Sequence, residues 1–386
     1  MLVIQNATTY TPEPLTGPSD IFIEAERITQ IAPHGQVKLP VTARVIDASG
    51  LLLTPGFIDL QLNGAFGHDF TANPETIWQI SAGLPRFGVT SYLPTIITSP
   101  LETVEHARQV LRQQRPANFS GAEPLGLHLE GPFLNPQKKG AHNPAYLRQP
   151  DLELISNWSA PRGVRLVTLA PELPGALDLA ERLVERGVIV SAGHSMATFD
   201  ESQAGLRAGI GYGTHLFNAM PTINHREPGL AGALLSDSRA VTGLIPDGIH
   251  VHPAMIRLAW KAKGSAALNL VSDAMAALGM PPGRYQLNDF EVYVSETDAR
   301  LKNGTLAGSI LPLDEAVRNL VGFTGCSLSE ALATVTTTPA RLLGLSEQRG
   351  HIAPDLLADL VLLTPDLKVA LTICAGQVTY KRHADR

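Results

Sequence analysis

The chain has 386 residues, 44% hydrophobic and 17% charged, which suits a globular protein with one large unit and a smaller one. Its formal net charge of -6, with no run of Lys or Arg, leaves no basic footprint and excludes nucleic acid as an expected partner. Cys326 and Cys374 are too few and too far apart for a disulfide framework or a cysteine zinc site, and no apolar run approaches membrane-spanning length. Residues Met1 to Asn6 lack a basic region followed by an apolar core, so a cytoplasmic location with no membrane contact is expected.

From Leu2 to Leu53 short strands are expected at Leu2 to Ile4, Ile21 to Ala25, Ile28 to Ile31 and Ala43 to Ile46, with Pro and Gly between them. Leu52 to Gly64 then runs from an apolar strand into alternating polar residues. Alternation puts Asp59, Gln61 and Asn63 on one side, where they serve either as neighbours of a metal site or as an inert polar layer.

Beyond this point apolar runs alternate with helical segments, the pattern of βα units around a parallel sheet. Strands are expected to begin near Gly56, Thr90, Pro124, Val164, Val188, Gly211, Val241 and Ala267. Helices are expected at Leu101 to Gln114, Ala176 to Arg186 and Pro253 to Lys263, and from Ser202 to Ala208 behind a Thr198-x-x-Glu201 capping box. Tyr285 to Leu306 breaks the rhythm, and Phe290 to Val294 with the Lys302 to Thr305 turn reads as an inserted hairpin. Helices resume at Leu313 to Val321 and Ser327 to Thr336, the second opened by Ser327-x-x-Glu330. Short strands return at Gly350 to Ile352, Ala358 to Leu363 and Gln377 to Tyr380. The fold class expected is α/β: a (β/α)8 TIM-like barrel over residues 54–349, with a small β-sandwich domain built from both termini, 1–53 and 350–386.

Two apolar runs in the barrel end alike, Val188 to Gly193 at His194 and Gly211 to Thr214 at His215. One such histidine would suit a satisfied polar residue. Two at the carboxyl ends of consecutive strands point into one mouth and suit a metal ion. Glu130 ends the third strand, where a lone carboxylate would be costly without a partner, and completes a two-nitrogen, one-carboxylate set with a position open for water. His128, two residues earlier, points the same way but deeper, as a supporting or core residue. Asp273, at the end of the eighth strand, could exchange a proton with water beside the metal, or simply cap a turn. The loops Lys139 to Pro144, Asn224 to Gly229 and Asp247 to His250 collect donors on the same face and suit an anionic, hydroxyl-rich substrate.

The ordered motifs Pro55 to Asp59, His128 to Pro132, Ala192 to Ser195, Thr214 to Met220, Arg226 to Gly229, Asp247 to His250, Ser272 to Ala274 and Leu306 to Ser309 resemble those of the N-acetylglucosamine-6-phosphate deacetylases of the amidohydrolase superfamily. The match spans nearly the whole chain. It implies hydrolysis of N-acetyl-D-glucosamine 6-phosphate to acetate and glucosamine 6-phosphate, a metal held by Glu130, His194 and His215, Asp273 as general base then acid, and His142 near the amide carbonyl. Asn218, Ala219, His250 and Leu306 are implied as substrate contacts. Arg226 is implied to reach the phosphate across a homodimer interface.

Many amidohydrolases carry His-x-His on the first strand for a second metal, whereas this chain has Gln61-Leu62-Asn63. Amides are poor substitutes for imidazole, so one divalent ion per subunit is expected, zinc first and ferrous iron as the alternative. The competing enzymatic reading is a dihydroorotase-like or N-acyl amino acid hydrolase, and the competing non-enzymatic one a barrel that only binds a ligand.

Overall fold

The computed structural model describes residues 1–113 and 115–382. Gln114, the expected end of a helix, and residues 383–386 lie outside the described residues. Eight parallel strands pair in chain order: Phe57–Leu62, Val89–Ile97, Leu127–Glu130, Val164–Leu169, Ile189–Ala192, Tyr212–Gly213, Val241–Leu244 and Leu268–Leu270. The ring closes through a bridge between Leu62 and Ala274 and through Asp273 N donating to Gln61 O at 2.8 Å. All eight expected strands are therefore present, each within a few residues of its expected start.

The strands are buried along nearly their whole length, as expected where helices cover the outside of a parallel sheet. Those helices bury one stripe each. Ala176–Glu185, for example, buries Ala176, Leu179, Ala180 and Leu183, the 3.6-residue spacing of an amphipathic helix. The third unit has no α-helix before the fourth strand. A long loop with short 3-10 turns at Pro136–Lys138, Pro144–Tyr146 and Ala160–Arg162 takes its place, and the first two turns are capped by Asn135 and Asn143. That loop crosses the barrel mouth.

Both chain ends meet in a second sheet, ordered Gln377–Lys381, Val369–Cys374, Leu360–Leu363, Leu52–Pro55, Leu2–Thr9, Ser19–Glu24 and Arg27–Pro33, with Arg44–Asp47 also paired to Leu2–Thr9. It folds over its own core of Ile4, Ile21, Ile23, Leu53, Leu360 and Ile373, giving the small β-sandwich.

Four local expectations change. Gly350 to Ile352 is not a strand, since Gly350 turns the chain with a left-handed φ of 94°. The strand Val369–Cys374 lies instead between its two expected neighbours. The helix expected over Ser327 to Thr336 is shorter, Leu328–Ala333, and a separate one, Thr337–Leu342, follows it, because the β-branched run between them turns hydroxyls back onto the backbone, Thr334 to Ala331 O at 2.6 Å and Thr336 to Leu332 O at 2.7 Å. The inserted hairpin pairs Phe290–Val294 with Gly283–Leu287 through Asn288-Asp289, where Asn288 tolerates φ 47°, and Ala299–Leu301 adds a third strand. The expected turn at Lys302 to Thr305 follows that third strand.

Candidate active site

Three ligating side chains converge at the carboxyl end of the barrel. Glu130 is the last residue of its strand, while His194 and His215 stand two residues beyond theirs. Both histidines, like Asp273, have a left-handed backbone, with φ of 49°, 28° and 46°. Each such residue costs about 1–3 kcal/mol and persists where packing holds it. At three strand ends this turn throws the side chain across the mouth rather than along the strand.

Glu130 Oε1 lies 3.1 Å from His194 Nε2 and 3.1 Å from His215 Nε2, which are 3.0 Å from each other. All three residues are buried. His194 Nδ1 lies 2.8 Å from the Lys138 carbonyl, which can only accept, so the proton sits on Nδ1 and Nε2 presents a lone pair. His215 Nδ1 has no partner among the described residues. Lone pairs gathered this closely suit a cation, and their spacing approaches the roughly 3.3 Å edge of a tetrahedron with ~2.05 Å metal–nitrogen bonds. The residues present therefore fit a divalent metal. Burial pushes the Glu130 carboxyl up, but the His194 and His215 imidazoles beside it outweigh burial and hold the group well below its ordinary value.

The first-strand amides touch this centre. Gln61 Nε2 donates to Glu130 Oε1 at 3.1 Å, and Asn63 Nδ2 donates to Asp273 Oδ1 at 2.8 Å. Gln61 and Asn63 are thus neighbours of the site, while Asp59 braces the layer beneath by accepting from the backbone N–H groups of Gln61 and Ser272, both at 3.2 Å. Burial and the Glu130 charge push the Asp273 carboxyl up to about 6, against the opposing pull of His215, His250 and Asn63.

His142 lies over the cluster, its ring edge-on to that of His194 with centroids 4.5 Å apart. Burial and neighbouring imidazoles bring it down to about 3, so it is neutral. Glu130, His142, His194, His215, Asn218, Ala219, His250, Asp273 and Leu306, all expected site residues, line one cavity of about 290 Å³, near the lower end of the ~300–1,000 Å³ typical of small-molecule sites. His250 is fixed by Asp247, whose Oδ2 lies 2.6 Å from Nδ1 and whose Oδ1 accepts two backbone N–H groups.

Arg226 is not brought there. It is exposed on its loop and does not line the cavity of its own chain. His225 is likewise exposed. His128 is a buried core residue, bonded to Thr95 at 3.2 Å and Thr168 at 2.8 Å, and burial lowers it to about 4.

Three supporting residues escape the sequence reading. Glu172 bonds Asn135 at 2.9 Å, Ser195 at 2.7 Å and the Met196 N–H at 2.6 Å, tying the long third loop to the loop carrying His194. Lys138 orients His194 through its carbonyl and bonds Met220 O through Nζ at 2.8 Å. Thr98, one residue past the second strand, contacts His142. Only Thr98 and Glu172 carried a signal, as polar residues just beyond a barrel strand.

The Amidohydrolase family matches residues 52–379. An N-acetylglucosamine-6-phosphate deacetylase of Lysinibacillus sphaericus is 37% identical over 383 residues, 98% of this chain and 97% of that one. The crystal structure of the deacetylase of that name from Pasteurella multocida superposes with a TM-score of 0.91 at 36% identity, covering 98% of this chain and 99% of the other. A mutant enzyme of the same name from Mycobacterium smegmatis, in complex with N-acetyl-D-glucosamine-6-phosphate, gives a TM-score of 0.90 at 34% identity, covering 98% and 99%.

Proposed function

The chain belongs to the amidohydrolase family and, within it, to the N-acetylglucosamine-6-phosphate deacetylases, and on that premise we propose that it hydrolyses N-acetyl-D-glucosamine 6-phosphate to acetate and glucosamine 6-phosphate. The observation that carries this reading is the gathering of Glu130 Oε1, His194 Nε2 and His215 Nε2 within 3.1 Å of one another in a cavity that Asp273 also lines. Glu130, His194 and His215 would hold one divalent ion, zinc first and ferrous iron as the alternative. When bound, that ion supplies Lewis acidity to the reacting water and to the acyl oxygen.

Asp273 takes the proton from water as it attacks the acetyl carbonyl and returns it to the departing amine. Asn63 holds Oδ1 of that carboxylate, leaving Oδ2 for the proton. Gln61 steadies Glu130 in the same way. His142 donates to the acyl oxygen as negative charge develops there. Asn218, the Ala219 and Leu306 backbone and the Asp247-anchored His250 hold the sugar phosphate. Arg226, exposed and away from its own cavity, reaches the phosphate of the partner subunit in a homodimer, where its forked donors match phosphate oxygens.

The unit boundaries are proposed at 53/54 and 349/350; the first lies within three residues of Gly56, where the terminal-sheet strand Leu52–Pro55 gives way to the barrel strand Phe57–Leu62. Two free, buried cysteines are in keeping with a reducing cytoplasm, and no helix among the described residues is long and apolar enough to cross a membrane.

The test is acetate release from the phosphorylated and the unphosphorylated sugar, on protein stripped of metal and then restored. Metal-dependent release that prefers the phosphate is expected. Equal release from both sugars removes the phosphate contacts, and no release with any divalent metal removes the substrate.

A further inference from the structure

Beyond the residues that meet metal or substrate, Thr98 occupies an unusual place. It is buried, and it touches both Glu130 and His142. Its Oγ1 lies 3.0 Å from the Glu130 carbonyl and 2.9 Å from His142 Nδ1, while its backbone N–H points at the same Nδ1 from 3.3 Å. The space it fills is made by Gly131, at φ 98°, where an added Cβ would lie 2.2 Å from the Thr98 hydroxyl. Any side chain at Gly131 would therefore displace that hydroxyl.

Two proton arrangements compete. In one, Nδ1 carries the proton and donates to Oγ1, which in turn donates to the Glu130 carbonyl, leaving Nε2 bare. In the other, Nδ1 accepts from the Thr98 N–H and hydroxyl, and Nε2 carries the proton. A hydroxyl can rotate to suit either arrangement, but a backbone N–H cannot turn round, and one aimed at Nδ1 opposes a proton there. We infer that Thr98 is a positioning residue that holds His142 in the Nε2–H form, so that a fixed donor faces the acyl oxygen. Nε2 lies 3.9 Å from Glu130 Oε2, on the metal side of the ring. With Nε2 bare, its lone pair would repel the oxyanion instead of stabilising it.

The inference rests on His142 meeting the acyl oxygen, as proposed above, and the experiment separates the two. Thr98→Val keeps the shape and the N–H but removes the hydroxyl, and Thr98→Ser restores it. In metal-saturated enzyme, Thr98→Val is expected to lower kcat about 10- to 100-fold, the usual cost of losing an orienting partner, with KM within about threefold and Thr98→Ser near native. Nitrogen-15 NMR of histidine-labelled enzyme reads the tautomer directly: Nε2 protonated and Nδ1 bare in native, Thr98→Ser and Thr98→Val enzyme alike, because all three keep the backbone N–H aimed at Nδ1. A protonated Nδ1 on His142 in the native enzyme overturns the inference. So does native kcat in Thr98→Val beside a costly His142→Gln. A harmless His142→Gln removes the acyl contact itself, and the positioning role falls with it.

Discussion

Replacing Asp273 with Asn tests the proposed chemistry where the structure is most specific about the outcome. Asn63 Nδ2 donates to Asp273 Oδ1 at 2.8 Å, so the new amide is expected to leave its oxygen there and turn its NH2 to the other side. A donor then stands where a proton must be accepted. General acid–base catalysis contributes about 10²–10⁴-fold, or ~3–5 kcal/mol of barrier, and kcat should fall by that factor. Asp273 is not one of the three ligands, so metal content per subunit should not change, nor should substrate binding measured by calorimetry on the loaded protein. The pH profile gives a second reading. Asp273 must be ionised to accept a proton, so native activity should rise with pH through its titration. A bound cation stabilises the carboxylate, which puts that limb below the value of about 6 set by burial and Glu130. The variant's residual activity should lack the limb. Loss of less than about tenfold, or a limb that survives, would refute Asp273 as the base.

Asp59 is pushed up to about 7 by burial, so between its unfolded value near 3.9 and 7 the folded chain holds the extra proton and stability falls as pH rises. Asp59→Asn should flatten that slope by up to about 4 kcal/mol between pH 4 and 8 in urea unfolding, and an unchanged slope would discount the charge. Arg226→Ala should raise KM for the phosphorylated sugar about 10- to 100-fold with little change in kcat, as loss of a charge-assisted bond implies. Mixed with Asp273→Asn subunits it should regain activity, because the hybrid contains one site with an intact Asp273 and a partner's intact Arg226; no recovery on mixing places the arginine in cis or outside the site. Chelation should lower Tm, since an ion bound only by the folded state adds to stability, and a Tm indifferent to chelator and added zinc would count against the three-ligand site.

Much of the centre was legible because Glu130, His194, His215 and Asp273 each stand at or just beyond the end of an apolar run. A strand that ends in Glu130, or a Gly-rich step into His194, announces both the barrel and its mouth. Other features have no local signature. Whether Gln61 and Asn63 were inert depended on the distance from the first strand to Glu130 and Asp273, residues 69 and 210 positions away. The left-handed turns at His194, His215 and Asp273 fall on residue types that enter that region more readily than most, but His and Asp stand at many ordinary positions too, so only the packing around them reveals the device. Lys138 acts through its carbonyl, which every residue possesses, and its side chain says nothing of that role. The helix break after Ala333 was missed because the capping box marks where a helix starts, while its end depended on where the threonine hydroxyls found partners.

The first-strand amides bear directly on how many ions the centre holds. In a His-x-His arrangement two imidazoles offer lone pairs to a second cation. Here Gln61 and Asn63 turn N–H groups towards the carboxylates, donating to Glu130 Oε1 and Asp273 Oδ1. A second ion seeking those oxygens would have to displace buried hydrogen bonds and would find amide oxygens, weak ligands for a transition metal, in exchange. The same two bonds also hold fixed Glu130 and Asp273, the carboxylates proposed to bind the ion and to move the proton. On the proposed reading, a hydrogen-bonded frame would stand where the second ion does in the His-x-His arrangement, and Asp273 would be free of a second metal and able to act as a base.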